Sequence, residues 1–264
     1  MAFYARFFQF DGVPSETYGL TISEVDASAN SSTMGSASME MVSRKIYRRA
    51  TPYFYGGTPS ENLSFDISIT AIDEDIDAEK SQLIQKWLFS SRKYKKLLII
   101  QPDMQDRYYN CIFNNPQIVR VGNIIRGYTA TVQCDAPYSW AFPKTVEYTY
   151  SSPVTDASIV FNNVSDDRGS YLYPKTVLTV SNVGGNITIT NQNDSNRQFS
   201  FTGLSANEVI TVDNSLQILT TSLGIRRMGN FNKKFLRLIP GLNNLRIQGN
   251  IAKLSITSQF VAKL

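Results

Sequence analysis

The acidic cluster Asp73-Glu-Asp-Ile-Asp77 is the stretch whose residue types and spacing come nearest to a ligand site. Its alternate residues are aspartates, as at the start of an EF-hand calcium loop, which also needs Gly at position six and Glu at position twelve. Those positions hold Ala78 and Ile84, so the calcium pattern fails. Acidic residues are also favoured at a helix N-terminus. We therefore interpret Asp77 as a helix N-cap and expect no metal.

The sequence offers little for catalysis, because its 264 residues include no histidine. This removes the commonest general base, the commonest zinc ligand and the usual partner of a nucleophilic Ser or Cys. The two cysteines, Cys111 and Cys134, fall in predicted strands and are expected to be buried and reduced. A disulfide between them remains possible if those strands are neighbours. We expect no enzymatic activity and no cofactor.

Positive charge is unevenly distributed along the chain. Residues 1–140 hold 14 Lys and Arg against 15 Asp and Glu, whereas residues 141–264 hold 12 against 7. The basic run Arg92–Lys96 and the pairs Arg226-Arg227 and Lys233-Lys234 could contact phosphates, but solvated surface is the commoner outcome. The overall charge is below that of a dedicated nucleic-acid-binding protein.

The elements that would position these side chains are mainly strands. Leu63–Ala71 alternates apolar and polar residues, which indicates a half-buried strand. A helix is predicted from Asp77 to about Ser90, packed on the strand face of Phe65, Ile67 and Ile69 through Leu83, Ile84, Trp87 and Leu88. Further strands are predicted at Ala2–Phe10, Leu20–Val25, Leu97–Ile100, Arg107–Phe113 and Gly127–Asp135. We predict an antiparallel β-sandwich with one packed helix.

Two segments interrupt this pattern. Asp26–Ser38 consists mostly of Ser, Ala, Asn and Gly and is predicted to be a flexible loop. Glu40–Pro59 mixes cations with large rings, which suits neither a core strand nor a free loop. We predict an extended arm pressed against another subunit, with interface residues Arg44, Tyr47, Arg48, Arg49, Tyr53, Phe54 and Tyr55.

A domain boundary is predicted near Trp140 to Lys144, which the nearby prolines support. Beyond it we count about ten short candidate strands and no convincing helix, which indicates an all-β sandwich. The tyrosines of this region suit a saccharide-binding face, but equally suit strand pairing, and residue type alone leaves both possible: Tyr148, Tyr150, Tyr171 and Tyr173. No apolar run is long enough to span a membrane and no Sec signal is recognised.

Several segments, taken in order and spacing, resemble the distal tail proteins of siphophages, the long-tailed bacteriophages. The resemblance spans nearly the whole chain and lies in Phe7–Gly12, Trp87-Leu88, Leu97–Asp103, Tyr108–Phe113, Gly127–Val132, Cys134–Trp140, Phe235–Asn243 and Leu245–Gly249.

This resemblance implies a structural virion protein of two domains. Residues 1–140 would form a tail-tube-like domain that assembles as a hexameric ring around the channel for phage DNA, without binding that DNA specifically. Residues 141–264 would form a galectin-like β-sandwich projecting outward. The implied partners are the tail tube protein, a tail-associated lysin or fibre protein, and baseplate or receptor-binding proteins. The protein would be made in the host cytoplasm and lie at the distal end of the tail. The alternative is a tail module that binds host cell-wall saccharides.

Overall fold

The computed structural model describes residues 6–25, 27–28, 31–32, 39–59, 61–72, 75–101, 105–151 and 153–262. It divides into two compact units, one ending at Ala141 and one running from Phe142 to Val261, with Ala262 counted in the first. Strands dominate both units, and the described residues contain one α-helix. The mainly β fold class is confirmed.

The first unit contains twelve described strands, a 3-10 helix at Ser15–Tyr18 and the helix α1 (Ala78–Phe89). The strands are β1 (Phe7–Phe10), β2 (Val13–Pro14), β3 (Leu20–Val25), β4 (Ala27–Ser28), β5 (Ser31–Ser32), β6 (Met39–Arg44), β7 (Tyr53–Pro59), β8 (Ser64–Ala71), β9 (Lys95–Ile100), β10 (Arg107–Val121), β11 (Ile124–Cys134) and β12 (Ser139–Ala141). Apart from β4 and β5, most of the predicted loop Asp26–Ser38 lies outside the described residues, as do the first residues of the predicted strand Ala2–Phe10.

The main sheet of this unit has the order β2-β1-β9-β10-β11-β8-β3. Its two ends approach each other, since the Ile22 N–H donates a 2.8 Å hydrogen bond to the Arg6 carbonyl. In β8 the predicted alternation holds: Phe65, Ile67 and Ile69 are buried, while the residues between them face outward. The sheet therefore curves around one apolar core, and α1 packs against that core.

Helix α1 starts as predicted, because the Asp77 carboxylate accepts a 2.7 Å hydrogen bond from the Lys80 N–H. Ile84 and Leu88 are buried, but Leu83 is 50% exposed, so its predicted place in the packed face is corrected. The reason is the helical rotation of about 100° per residue. Because Ile84 and Leu88 point at the core, a side chain one position earlier points away from it.

Trp87 is half-buried and packs elsewhere than predicted. Its indole stacks on Phe8 at 5.7 Å and on Tyr18 at 4.9 Å between ring centroids, and its Nε1–H donates to the Phe10 carbonyl. These partners belong to β1 and the 3-10 helix, instead of the β8 face of Phe65, Ile67 and Ile69. The reason is that Trp87 lies four residues after Leu83 and so shares its side of α1, beside the face of Ile84 and Leu88 that points at the core.

Two hairpins extend from this unit. Strands β6 and β7 pair only with each other and form a separate two-stranded sheet. Strands β10 and β11 run well past their predicted ends, to Val121 and Ile124. The strand predicted from Arg107 stopped at Phe113, before Pro116. The ladder absorbs this proline at a register shift between Asn114 and Gln117, the kind of position where a strand tolerates a missing N–H donor.

The second unit is a sandwich of two antiparallel sheets, ordered β13-β21-β15-β18-β19 and β14-β20-β16-β17, whose apolar residues share one core. Nine strands were found where about ten were predicted, with no α-helix in the described residues of this unit. They are β13 (Lys144–Thr149), β14 (Val154–Asn163), β15 (Lys175–Val180), β16 (Gly185–Asn191), β17 (Arg197–Leu204), β18 (Val209–Asp213), β19 (Ile218–Thr221), β20 (Gly241–Gly249) and β21 (Ile251–Ser258). The short strand β22 (Val261–Ala262) follows.

Candidate assembly surface

The hairpin of β6 and β7, together with the turn between them, is called the arm below (residues 39–59). Its ladder runs from Arg44 opposite Tyr53 to Met39 opposite Pro59. All of β6 is exposed, and the large side chains of the arm are uncovered: Tyr47 is 86% exposed and Tyr55 66%. A solitary two-stranded hairpin is marginal in water, so this surface is expected to gain stability from a partner.

A β-bulge shapes β7, the strand that contains Tyr53, Phe54 and Tyr55. Ser43 lies opposite Phe54 and Val42 opposite Gly56, which leaves Tyr55 as the extra residue of β7. Gly56 has a φ of 116°, a value that a residue with a side chain rarely adopts. Bulges bend a strand and redirect side chains. In the arm, the bulge places two adjacent aromatic residues, Phe54 and Tyr55, on exposed surface.

Two arginines of the arm lie against its own rings. The Arg49 guanidinium lies 3.8 Å from the centroid of the Tyr53 ring, and that of Arg48 lies 5.4 Å from that of Tyr47. Among described residues, no carboxylate forms an ion pair with the arm arginines. All seven predicted interface residues lie on this one exposed hairpin: Arg44, Tyr47, Arg48, Arg49, Tyr53, Phe54 and Tyr55.

The acidic cluster has structural roles where it is described. Asp77 caps α1, and the Asp75 carboxylate lies 2.7 Å from the Arg126 guanidinium, while residues 73 and 74 lie outside the described part. No group of three or more potential metal ligands occurs among the described residues. In the basic run, Lys95 pairs with Asp11 at 2.8 Å, and the Lys96 ammonium lies 4.7 Å from the Tyr108 ring centroid.

The cysteines face each other across β10 and β11, since Cys111 lies opposite Cys134. Both thiols are free and buried. Burial raises the pKa of Cys134 to about 12 and holds the pKa of Cys111 well above its usual range. Because the thiolate is the reactive form, these side chains are poor nucleophiles and act as core residues.

The second unit contains a buried ion pair that was not predicted from the sequence. Arg227 was expected on solvated surface, but its side chain is buried and donates to both carboxylate oxygens of Glu208, at 2.9 and 2.7 Å. Burial alone would raise the pKa of Glu208, yet hydrogen bonds from Arg227 and Thr221 lower that pKa to about 2. Nothing in the sequence indicates which of the adjacent residues Arg226 and Arg227 points inward.

A second arginine cluster lies at the surface of this unit. The Arg237 guanidinium donates to both Asp194 oxygens, at 2.7 and 3.0 Å, and its carbon lies 4.0 Å from the Tyr171 ring centroid. Tyr171 and Tyr173 are 44% and 41% exposed. In contrast, two other tyrosines considered for a saccharide face pack against the core: Tyr148 and Tyr150.

The structure combines a β-sheet unit that carries an exposed hairpin with a β-sandwich of two antiparallel sheets. Family models place it further. The model of the phage tail protein N-terminal domain matches residues 3–136, and that of the phage tail C-terminal domain matches residues 140–258. The chain belongs to this phage tail protein family. The recognition of a phage tail component is confirmed.

Solved structures agree on the fold. The Dit (gp 19.1) protein of phage SPP1, described as a paradigm of the hub adsorption apparatus in phages that infect Gram-positive hosts, superposes with a TM-score of 0.72 at 14% identity, covering 97% of this chain and 100% of that one. A chain of the phage P2 baseplate in its activated conformation with Ca gives 0.58 at 8% identity, covering 99% and 100%. No curated protein sequence matches the chain. Among described residues, no helix is long and apolar enough to cross a membrane.

Proposed function

We propose that this protein is the distal tail hub of a siphophage. It would form a hexameric ring that joins the tail tube to the baseplate and the host-recognition apparatus. The family assignment supports a tail component, and the likeness to the Dit hub fold supports this place in the tail. The main observation in support of an assembly role is the arm, because its aromatic rings and cations are exposed and no described residue of the chain covers them.

A ring needs a heterologous contact, in which each subunit offers one patch to a different patch on the next. The arm suits the first patch, because Tyr and Arg are enriched where binding energy concentrates. Its arginines would reach carboxylates of the neighbour in charge-assisted hydrogen bonds. Residues 1–140 hold one acidic residue more than basic ones, so without the four arm cations their acidic excess is larger. The neighbouring first unit therefore offers carboxylates.

The second unit would project outward and dock other tail proteins. The proposed partners are the tail tube protein above the ring, a tail-associated lysin or fibre protein below it, and baseplate or receptor-binding proteins at the sandwich. DNA would pass through the channel without specific binding, and assembly would take place in the host cytoplasm. No chemistry is required, so the role is structural instead of enzymatic. The hub is preferred over a saccharide-binding module because two of the four tyrosines pack on the core.

The test is the position of the protein in the virion. Gold-labelled antibodies raised against residues 142–261 would be applied to particles of the phage that encodes this chain and viewed by electron microscopy. Label restricted to the distal end of the tail supports the hub. Label spread along the tube would make the chain a tube subunit, and label at the head end would contradict the proposal.

A further inference from the structure

The last strand of the five-stranded sheet in the second unit has an unpaired outer edge. Among the described strands, β19 pairs with β18 alone and ends the order β13-β21-β15-β18-β19. The Ser222 N–H donates to the opposed Val209 carbonyl. The alternation of an antiparallel ladder then turns the N–H and C=O of Leu219, and the N–H of Thr221, toward the free edge. Such unpaired backbone groups are the ones to which an added strand bonds.

The other three edges of the sandwich are protected in ways that natural sheets use against unwanted pairing. β13 carries Lys144 and Glu147. β14 has a register shift and the charged Asp156. β17 is covered by residues 230–232, which hydrogen-bond with its backbone. In contrast, β19 (Ile218–Thr221) has no charge, no proline and no register shift.

Exposed apolar side chains extend this edge beyond the strand itself. Leu216 is 66% exposed and Ile218 52%, and the large apolar residues that follow β19 are also uncovered: Leu223, Ile225 and Met228. Uncovered apolar side chains along one segment suit a protein contact. Because they flank unpaired backbone groups of a sheet, the occupant that fits them is an extended segment with apolar residues.

Charge further defines this occupant. Residues 214–229 contain Arg226 and Arg227 but no Asp or Glu. Arg227 is neutralised by Glu208, whereas Arg226 is exposed and forms no ion pair among the described residues. The complement to this surface is therefore an extended segment that carries a carboxylate beside its apolar residues.

Other copies of this chain do not supply such a segment within a ring. Pairing of β19 with its own equivalent is a two-fold contact, whereas neighbours in a cyclic ring meet through heterologous contacts. The other edges of the sandwich are protected. The arm does have free edges, but it holds four cations against one carboxylate, that of Glu40, so it would meet Arg226 with like charge.

We propose that the edge of β19 docks an extended strand of a different tail protein. The added strand continues the five-stranded sheet and bonds to the backbone of Leu219 and Thr221. Its apolar side chains lie on Leu216 and Ile218, and a carboxylate at one end meets Arg226. The inference rests on the proposed hub, because it assigns to the outward unit of that hub the surface on which a partner docks.

Hydrogen exchange read by mass spectrometry tests this edge directly. Peptic fragments that span residues 216–226 are compared between the purified full chain and intact particles of the phage. We expect deuterium uptake at this edge in the purified chain, and loss of that uptake in particles, because the amides of Leu219 and Thr221 then donate to the added strand. Unchanged uptake in particles would overturn the proposal. Loss of uptake already in rings of the purified chain would also overturn it, since the occupant would then be a second copy.

Two matched substitutions locate the contact. Ile218→Lys puts on the edge a charge of the kind that prevents strand pairing. Its control is Val160→Lys on β14, since Val160 is also exposed. Particles with Ile218→Lys should regain the uptake of the purified chain, whereas Val160→Lys should keep the wild-type protection. Circular dichroism of the purified variants, expected to be unchanged, separates loss of docking from loss of folding. Protection that survives Ile218→Lys would contradict the docking strand.

The charge of the partner is tested at Arg226. Arg226→Glu should restore deuterium uptake at the edge in particles, because two carboxylates would then face each other, while Arg226→Lys should keep the protection. Equal protection in these two variants would refute the acidic partner.

The antibody experiment separates this inference from the hub itself. Label at the distal end of the tail, together with unchanged uptake at the β19 edge, keeps the hub and refutes the docking strand. Label at the head end contradicts both.

Discussion

The arm and the second unit both combine arginine with aromatic residues, yet they use arginine in opposite ways. In the second unit, Arg227 is buried on the Glu208 carboxylate, and Arg237 is held by Asp194 against the Tyr171 ring. In the arm, Arg48 and Arg49 lie on exposed rings without a described carboxylate. The second unit therefore satisfies its arginines within its own fold, whereas the arm arginines have no described carboxylate partner, which supports the proposed contact with another subunit.

The largest effect expected from this comparison is the loss of the buried ion pair. Arg227→Ala leaves the Glu208 charge buried without its partner, and breaking a buried pair in this way costs ~3–5 kcal/mol of unfolding free energy. Urea denaturation of the full chain measures it. The neighbouring exposed residue is a matched control, since Arg226→Ala should stay within about 0.5 kcal/mol of wild type. Equal losses of unfolding free energy in the two variants would show that the buried Arg227 and the exposed Arg226 contribute alike to stability.

In the first unit, the comparable loss is that of the half-buried Trp87 indole. Trp87→Ala should cost about 3 kcal/mol of unfolding free energy, at the lower end for a truncated aromatic because the ring is half-buried. Leu83→Ala, on the same flank but half-exposed, should cost less than about 1 kcal/mol. A Trp87→Ala change well under 1 kcal/mol, measured on monomer, would assign this ring to an interface alone.

The pH dependence of stability tests the buried pair in another way. The pKa of Glu208 is lowered to about 2 in the folded chain, against about 4.3 in an unfolded one. A depressed pKa adds stability that is complete above the unfolded value and is lost as the pH falls toward the folded one. The difference in melting temperature between wild type and Glu208→Gln should therefore shrink from pH 6 to pH 3. A difference that stays constant over this range would mean that the pKa of Glu208 is not lowered in the folded chain.

The smallest effect is expected in the arm. Arg48→Gln and Arg49→Gln should change the unfolding free energy by no more than about 0.5 kcal/mol, because both side chains are exposed. The same pair should weaken the ring, and more so at low salt, where screening of charge pairs is least. Analytical ultracentrifugation at two salt concentrations measures this. A loss of unfolding free energy without a change in assembly would mean that the arm arginines stabilise the fold instead of a subunit contact.

The sequence predicted best the features that depend on local periodicity. The alternation of Leu63–Ala71 and the cap at Asp77 both appear as predicted, because each depends on a few consecutive residues. The extension of β10 past Pro116 could not be predicted, since a bulge opposite β11 absorbs the proline only in the folded sheet. The burial of Arg227 depends on Glu208, which is brought near by the sandwich instead of by sequence spacing.

The arm was predicted from its amino-acid composition, whereas its backbone geometry was not predicted. The arm could be recognised in the sequence because its cations and rings suit neither a core strand nor a free loop, but the hairpin register and the bulge at Tyr55 were not predicted. Leu83 was predicted to lie in the core. The helical period alone cannot tell which neighbouring position faces the sheet when Leu83 and Ile84 are both apolar.

The central claim is that the arm holds subunits together, and deletion of residues 44–57 tests it most directly. The deletion variant and the full chain would be compared by sedimentation and circular dichroism at matched concentrations. We predict that the full chain sediments as a hexamer of 29.6 kDa subunits, while the variant sediments as a folded monomer with an unchanged spectrum. A deletion variant that still sediments as a hexamer would contradict the claim, and the exposed rings of the arm would then have to meet another tail protein.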